Sequence, residues 1–318
     1  MQISVIIPTY NSEKTIEKCL NSFYIQTYPP SEIIVVDGNS ADSTTEIVKR
    51  FWDVKLVVNK KFHSPGFLRN LGAKVAKGNI LLFCDSDCIA DKKLIEYYVE
   101  SFLSRKDIIG VKGTIRPVFK NMVSNFVQKQ LLAMEWLNNL NKDGTIKTFF
   151  NTANFAIYRS IFLQTMFRED MVSCEDTEFF IRLSQDKKLK ILYEPRAFVY
   201  HHHPTTIHQL FKQQKWHGEG IVQLVNITGK KLLEYFTVFP PIRYVTISKN
   251  LLLKAVFEDN RLLCKGCRME KIQKCKIKVK KLSKIKIKSE INLHRLTCLA
   301  VAAGILKQRT GVDYNFSL

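Results

Sequence analysis

The sequence predicts an α/β protein on a Rossmann-like, mostly parallel sheet flanked by helices, followed by a basic helical C-terminal extension. Three observations carry this. Short apolar runs rich in β-branched residues recur at 3–7, 33–36, 54–58 and 80–83; helical spacing fills the intervals; and polar residues close the runs. Strands buried on both faces read as unbroken apolar runs. Strand alternating with helix signals a parallel sheet wrapped by helices.

In chain order, the first run is closed by Pro8, and Ser12 is placed to cap a helix whose Ile16, Cys19, Leu20 and Phe23 share one side. The second ends at Asp37-Gly38, and Ser43 and Glu46 have capping-box spacing ahead of Ile47, Val48 and Phe51. Residues 65–76 read as the third helix. After Gly113 the alternation weakens and a mostly helical stretch, 122–140, intervenes. Order resumes at Asn151, where Asn-Thr-Ala-Asn leads into an apolar 155–157. A helix beginning near Asp176 turns Phe179, Phe180 and Leu183 inward, and 189–192 and 197–200 read as strands flanking Pro195. From about Lys231 apolar helix-like segments broken by Pro240-Pro241 give way to a lysine-rich run. The expected division is 1–230 for the α/β domain and 231–318 for the extension.

The 318 residues suffice for one large core, and the apolar and charged fractions are those of a globular chain. Of the net charge of +20, residues 231–318 contribute +13 from 19 basic and 6 acidic side chains, so the basicity belongs mainly to the tail. Eight cysteines without the regular spacing of a disulfide framework, and no leader pattern, point to a reducing cytoplasm. The apolar stretch 296–306 is shorter than the about 20 residues that span a bilayer.

Ligands of such sheets sit beyond the carboxyl ends of strands. The first strand delivers Thr9, Tyr10 and Asn11, the second Asp37, Asn39 and Asp42, and the fourth Asp85, Ser86 and Asp87. Three polar loops on one edge suit a polar, phosphorylated ligand.

Several segments together resemble the family 2 glycosyltransferases of the GT-A fold. They are Ile6-Ile7-Pro8-Thr9-Tyr10-Asn11; Val35-Val36-Asp37-Gly38-Asn39-Ser40 with Asp42 and Thr44; Gly66 with Arg69-Asn70 and Gly72; and Asp85-Ser86-Asp87, which matches the metal signature. Further on, the stretch from Asn151 to Arg159, containing Asn154, resembles the acceptor-side segment. Glu175-Asp176 with Phe179 and Arg182-Leu183 resembles the segment that supplies the base, and Tyr193-Glu194-Pro195 with the stretch from Val199 to His203 resembles the closing strands. Order and spacing, rather than any single motif, carry the resemblance over most of the first 230 residues.

The resemblance implies an inverting transfer of sugar from a UDP- or GDP-linked donor to a hydroxyl of a lipid-linked or glycan acceptor. Breaking a sugar–phosphate bond leaves charge on a diphosphate, which a divalent ion offsets by several kcal/mol. Asp87 is the expected direct ligand, with Asp85 toward the ribose or a metal-bound water, and Mg or Mn suits the oxygen donors. A sugar hydroxyl needs a base within reach; Asp176 matches that position, Glu175 can bind acceptor hydroxyls, and the alternative for Asp176 is a helix N-cap. Strand alternation puts His201 and His203 on one face and His202 on the other, and the resemblance implies that one of that pair completes the metal shell. Arg69 is the expected diphosphate or ribose contact, Asp37 and Asn39 face base or ribose, and Pro8, Thr9, Tyr10 and Asn11 line the nucleobase pocket beside Ser86. Trp216 and His217 loosely match a processive-synthase signature, but Lys212 stands where its glutamine would be.

In the tail, nine lysines between Lys271 and Lys288 alternate with Ile272, Ile277, Val279, Ile285 and Ile287. Anionic lipid attracts such a segment by about 1 kcal/mol per basic residue, which implies a peripheral site on the cytoplasmic membrane face. No nucleic-acid partner is expected, because stacking aromatics are missing from it; a solvated charge run is the plain alternative. Cys264 and Cys267 with Cys275 offer part of a zinc site, for which only His294 or Cys298 supplies a fourth ligand. Two other functions stay open: a sugar-nucleotide nucleotidyltransferase, against which Thr9 to Glu13 contain no glycine or arginine, and a non-catalytic protein that binds membranes through the tail.

Overall fold

Seven consecutive buried residues form β1 (Ile3–Thr9), in a computed structural model that describes residues 1–60, 64–136, 140–147, 151–186 and 188–228. Beside it lie β2 (Glu32–Asp37), β3 (Val54–Val58) and β4 (Ile80–Cys84), all parallel, so each apolar run of the sequence falls within a strand. The sheet continues through β5 (Cys88–Ala90), β6 (Ile108–Pro117), β7 (Asn154–Tyr158) and β8 (Lys190–His201), in the order β3-β2-β1-β4-β7-β6-β8-β5. Only β7 and β5 run against their neighbours. The carboxyl ends of β1, β2, β4 and β8 therefore reach the same edge.

Helices α1 (Ile16–Tyr24), α2 (Thr44–Val48), α3 (Pro65–Val75) and α4 (Leu94–Ser104) follow β1, β2, β3 and β5. Ser12 does not cap α1 through its side chain: its carbonyl accepts the Thr15 and Ile16 N–H groups, while its hydroxyl turns to Ser86. Nor does the capping box form at α2, where Asp42 Oδ1 accepts the Thr44 N–H at 3.1 Å and Glu46 pairs with Thr45. Helix α3 starts as the sequence suggests, with Pro65 in the first turn and Ser64 Oγ accepting the Phe67 N–H.

The segments 189–192 and 197–200 are one strand, β8, rather than two. Its partner β6 jumps register from Gly113↔Glu194 to Thr114↔Phe198, so Pro195 lies in a bulge where its missing N–H breaks no ladder bond. Gly113 permits this, since a Cβ there would stand 2.1 Å from the Ala197 carbonyl and 2.3 Å from Asn154 Nδ2.

Helices α6 (Arg159–Thr165) and α7 (Glu175–Leu183) are fixed on β4 by aromatic packing. Phe83 lies 4.9 Å from Phe162 and 5.6 Å from Phe167, and Phe179 of α7 lies 4.8 Å from Phe167. This apolar joint, worth about 0.5–1.5 kcal/mol per aromatic pair beyond area burial, holds the first turn of α7 at the polar edge.

The chain divides into two compact units. The first, Met1–Val118, Asn138–Met171 and Glu175–His203, contains the whole sheet. The second comprises Phe119–Leu137, Val172–Cys174 and the chain from Pro204 onward. Within the second, Val123, Phe126 and Val127 of α5 (Met122–Trp136) pack on Leu210 of α8 (Ile207–Thr228), and Ser173 Oγ donates to the Trp216 carbonyl at 3.1 Å. Among the described residues no helix is long and apolar enough to cross a membrane. The expected boundary near residue 230, the lysine-rich 271–288 and the Cys264/Cys267 pair all lie outside the described residues.

Candidate active site

The sheet order places β2 and β4 on opposite sides of β1, which makes the end of β1 a switch point, the usual crevice of an open α/β sheet. Pairing of β1 with β4 stops at Ile6↔Phe83, so buried Pro8 lies past the end of that ladder.

Two interlocked loops leave β1 and β2. Asp37 is buried and accepts both the Ser40 N–H (2.9 Å) and its hydroxyl (2.5 Å). Ser40 Oγ accepts the Asn11 N–H, and Asn11 Oδ1 accepts the Ala41 N–H, each at 2.8 Å. Both Asn11 (φ 49°) and Asn39 (φ 69°) occupy the left-handed region, which asparagine tolerates better than most residues. Tyr10 is exposed, while the Thr9 hydroxyl is buried with no protein hydrogen-bond partner. Ser86 shares a 2.8 Å hydrogen bond with Ser12, tying the third loop to the first.

Arg69 of α3, nearly fully buried, donates from Nη2 to Asp85 Oδ1 at 2.6 Å and from Nη1 to Glu175 Oε1 at 2.7 Å. Its Nε is buried without an acceptor in the protein. Gly66, one turn earlier, admits Glu175 to this position, since a Cβ would come within 2.9 Å of Glu175 Cγ. Asp176, next on α7, accepts its neighbour's amide, the Thr177 N–H, at 2.7 Å. It is the second residue of the helix rather than its N-cap. One guanidinium thus pairs with two carboxylates, and the Asp176 carboxyl follows beside them on α7. Burial is the main cause that pushes Asp176 up to about 7, the Glu175 charge adds to it, and Arg69 opposes it. Burial also raises Glu175, against the pull of Arg69.

Asp87 keeps 37% of its side-chain surface exposed, and burial of the rest raises its carboxyl while His201 opposes. His201 Nε2 stands 3.4 Å from Asp87 Oδ1. The expected face-sharing of His201 and His203 is present, with rings 4.9 Å apart, but they differ in place: His203 is buried, and burial lowers its imidazole to about 3, which leaves it neutral. Of the two, His201 joins Asp87 in a cluster with Cys88, a residue that sequence reading passed over although it directly follows the acidic motif. Asp85 is held by Arg69 and is not part of that cluster.

Asn154 departs from the expected substrate contact. Fully buried, it donates from Nδ2 to the Thr114 and Ala197 carbonyls at 3.0 and 3.1 Å and accepts the Tyr98 hydroxyl at 2.6 Å. Its amide braces β6, β7 and β8 behind the crevice.

The model of glycosyl transferase family 2 matches residues 4–169. A poly(ribitol-phosphate) beta-glucosyltransferase of Bacillus spizizenii is 37% identical over 135 residues, 38% of this chain and 21% of that protein. A dolichyl N-acetyl-alpha-D-glucosaminyl phosphate 3-beta-D-2,3-diacetamido-2,3-dideoxy-beta-D-glucuronosyltransferase of Methanococcus voltae is 25% identical, over 68% of this chain and 71% of its own length. The chain thus spans well under half of the first of these relatives. Among solved structures, the mannosyltransferase PcManGT of Pyrobaculum calidifontis with GDP-Man and Mn2+ superposes with a TM-score of 0.64 at 17% identity, over 98% of this chain and 87% of that one. TarS 1–349 of S. aureus with UDP-GlcNAc gives 0.53 at 18% identity, over 100% and 94%. Identities this low speak for a shared fold, and the GT-A sheet is that fold. The family match, covering more than half of the chain, goes further: this protein belongs to glycosyl transferase family 2.

Proposed function

We propose that this chain transfers a sugar from a nucleoside-diphosphate sugar to an acceptor hydroxyl, with inversion at C1 and Asp176 as base. The observation that carries the reading is Arg69 bridging Asp85 and Glu175 beside Asp176, whose carboxyl is pushed up to about 7. A carboxyl poised there is ionised above neutral pH and basic enough to draw a proton from an alcohol. The acceptor hydroxyl passes its proton to Asp176 as its oxygen attacks C1. The bond from C1 to the diphosphate oxygen breaks in the same displacement, which inverts the centre.

The loops of Pro8, Thr9, Tyr10, Asn11, Asp37 and Asn39 hold the nucleoside, with Ser86 anchoring the neighbouring loop. Arg69 steadies Asp85 and places its positive charge beside the diphosphate position, and Glu175 fixes Arg69. Asp87 with His201 supplies an oxygen and an imidazole that fit Mg or Mn. They would hold a divalent ion whose charge would offset that of the departing diphosphate. GDP-Man with Mn2+ in the Pyrobaculum structure and UDP-GlcNAc in TarS support a UDP- or GDP-linked donor. The dolichyl N-acetyl-alpha-D-glucosaminyl phosphate in the Methanococcus enzyme's name supports a lipid-linked acceptor, a glycan being the other class. Such an acceptor would set a catalytic region 1–230 to work at the cytoplasmic membrane face, where the basic sequence of 231–318 suits anionic lipid. Asp87→Ala and Asp176→Ala should each abolish transfer with the circular dichroism spectrum unchanged; turnover retained in both rejects the proposal.

A further inference from the structure

Cys88 opens β5 directly across from His201, the last residue of β8. Opposed residues of an antiparallel pair project to the same side, so thiol and imidazole share a face. One ligand atom from each of Asp87, Cys88 and His201 lies within 4.8 Å of the other two, the one such group of three among the described residues. Two ligands of a tetrahedral ion, bonded at about 2.0–2.3 Å, stand about 3.6 Å apart. Asp87 Oδ1 and His201 Nε2, 3.4 Å apart, already stand near that spacing, and the Asp87 side chain, 37% exposed, has room to adjust. The second ring nitrogen of His201, Nδ1, is buried without a hydrogen-bond partner, so it can keep the ring proton and leave Nε2 as a lone pair toward Asp87. Two more buried thiols, Cys19 and Cys84, turn to the Asp85 carbonyl at 3.6 and 3.7 Å, and the Cys84 thiol also hydrogen-bonds the Cys88 thiol, a contact that coordination would replace.

Carboxylates alone make a hard site for Mg or Mn. A thiolate and an imidazole beside one of them change the preference toward softer ions, and Zn2+ already stands above Mn2+ in the general affinity order. We propose that Asp87, Cys88 and His201 form a site for a thiophilic divalent cation, Zn2+ or Cd2+, with the Cys88 sulfur as direct ligand. Coordination releases the thiol proton to solvent and gives up the long Cys88 contact to the Ala153 carbonyl at 3.8 Å. Only the consequence rests on the proposed transfer reaction: Asp87 occupied by Zn2+ is withdrawn from Mg or Mn.

The test uses the full chain with Cys264, Cys267, Cys275 and Cys298 replaced by Ser, titrated with Cd2+ and followed by thiolate-to-metal absorbance, a readout independent of transfer. A saturable band of one equivalent is expected. It should vanish on adding Cys88→Ser, persist in Cys19→Ser, and weaken about tenfold or more in His201→Gln. Zinc-edge X-ray absorption on the same parent, which leaves Cys88 untouched should Cys88→Ser fail to fold, should show one sulfur at about 2.3 Å. A parent without the band, a band unchanged by Cys88→Ser, or a zinc shell of nitrogen and oxygen alone overturns the proposal.

Discussion

Replacing Asp176 with Asn should slow transfer severely and yet stabilise the protein, because the burial that prepares this carboxyl to accept a proton is a cost to the fold. Its ordinary value of 3.8 rises to about 7, chiefly through burial and then through the Glu175 charge. A carboxyl raised in this way stays protonated in the native state over a range where the unfolded chain has ionised. Stability therefore declines as pH climbs from about 4 to about 7, and the loss is complete above that. A displacement of this size corresponds to about 4 kcal/mol at most. Asp176 is only partly shielded from solvent and shares its environment with Glu175, so a gain of about 1–3 kcal/mol is expected. The replacement keeps an oxygen to accept the Thr177 N–H, which limits side effects. Urea unfolding should show the variant ahead by this amount at about pH 8, with the gap closing as pH falls toward about 4. Transfer should drop by about 10²–10⁴-fold, and the wild-type rate should fall on the acid side with a midpoint near 7. A variant no more stable at pH 8 than at pH 4, relative to wild type, would refute the buried-carboxyl reasoning, and undiminished transfer would refute the role of base.

Other perturbations separate site from scaffold. Asp87→Ala should remove the Mn-dependent thermal shift produced by a nucleoside diphosphate, which in wild type reaches about 2.7 kcal/mol at a hundredfold excess over Kd; an undiminished shift would place the ion elsewhere. Arg69→Lys can serve only one of Asp85 and Glu175, so chemical denaturation should reveal a loss of about 3 kcal/mol from the carboxylate left unpaired. Asn154→Ala strands two buried carbonyls and leaves the Tyr98 hydroxyl only the backbone carbonyl of residue 154 at 3.1 Å, and should lower stability by about 2–4 kcal/mol while donor affinity in a binding titration stays the same. Gly113→Ala drives a methyl into the Ala197 carbonyl and should cost about 3 kcal/mol or more in the same unfolding assay.

The parallel half of the sheet was legible because β1, β2, β3 and β4 carry their burial in continuous apolar runs. The other half was not. Strand β6 interrupts its run with Gly110, Lys112 and Gly113, the lysine being buried and bound to the Gly113 carbonyl, so it fits neither pattern expected of a strand. Helix α4 and the three-residue β5 have no counterpart in the sequence reading, and β8 reads as two strands because Pro195 looks like a break, whereas residues 195–197 bulge out of a ladder that resumes at Phe198. At the crevice the acidic residues could be named in advance, since strand ends of an α/β sheet are where ligands bind. Their pairing could not: Arg69 and Glu175 are 106 positions apart and meet only through the packing of α7 on β4. The same holds for Cys88, whose relation to His201 exists only as a cross-strand register. Asn154 shows the converse, a polar residue in a recognisable segment whose hydrogen bonds all point into the sheet.

The most direct test is a crystal of the protein grown with Mn2+ and a nucleoside diphosphate, with anomalous scattering used to locate the ion. The ion should bind an Asp87 oxygen with the diphosphate between it and the loops of Thr9–Asn11 and Asp37–Ser40, leaving the Asp176 carboxyl facing the open side of the sugar position. An ion away from Asp87, or an Asp176 carboxyl turned from the diphosphate, would contradict the mechanism.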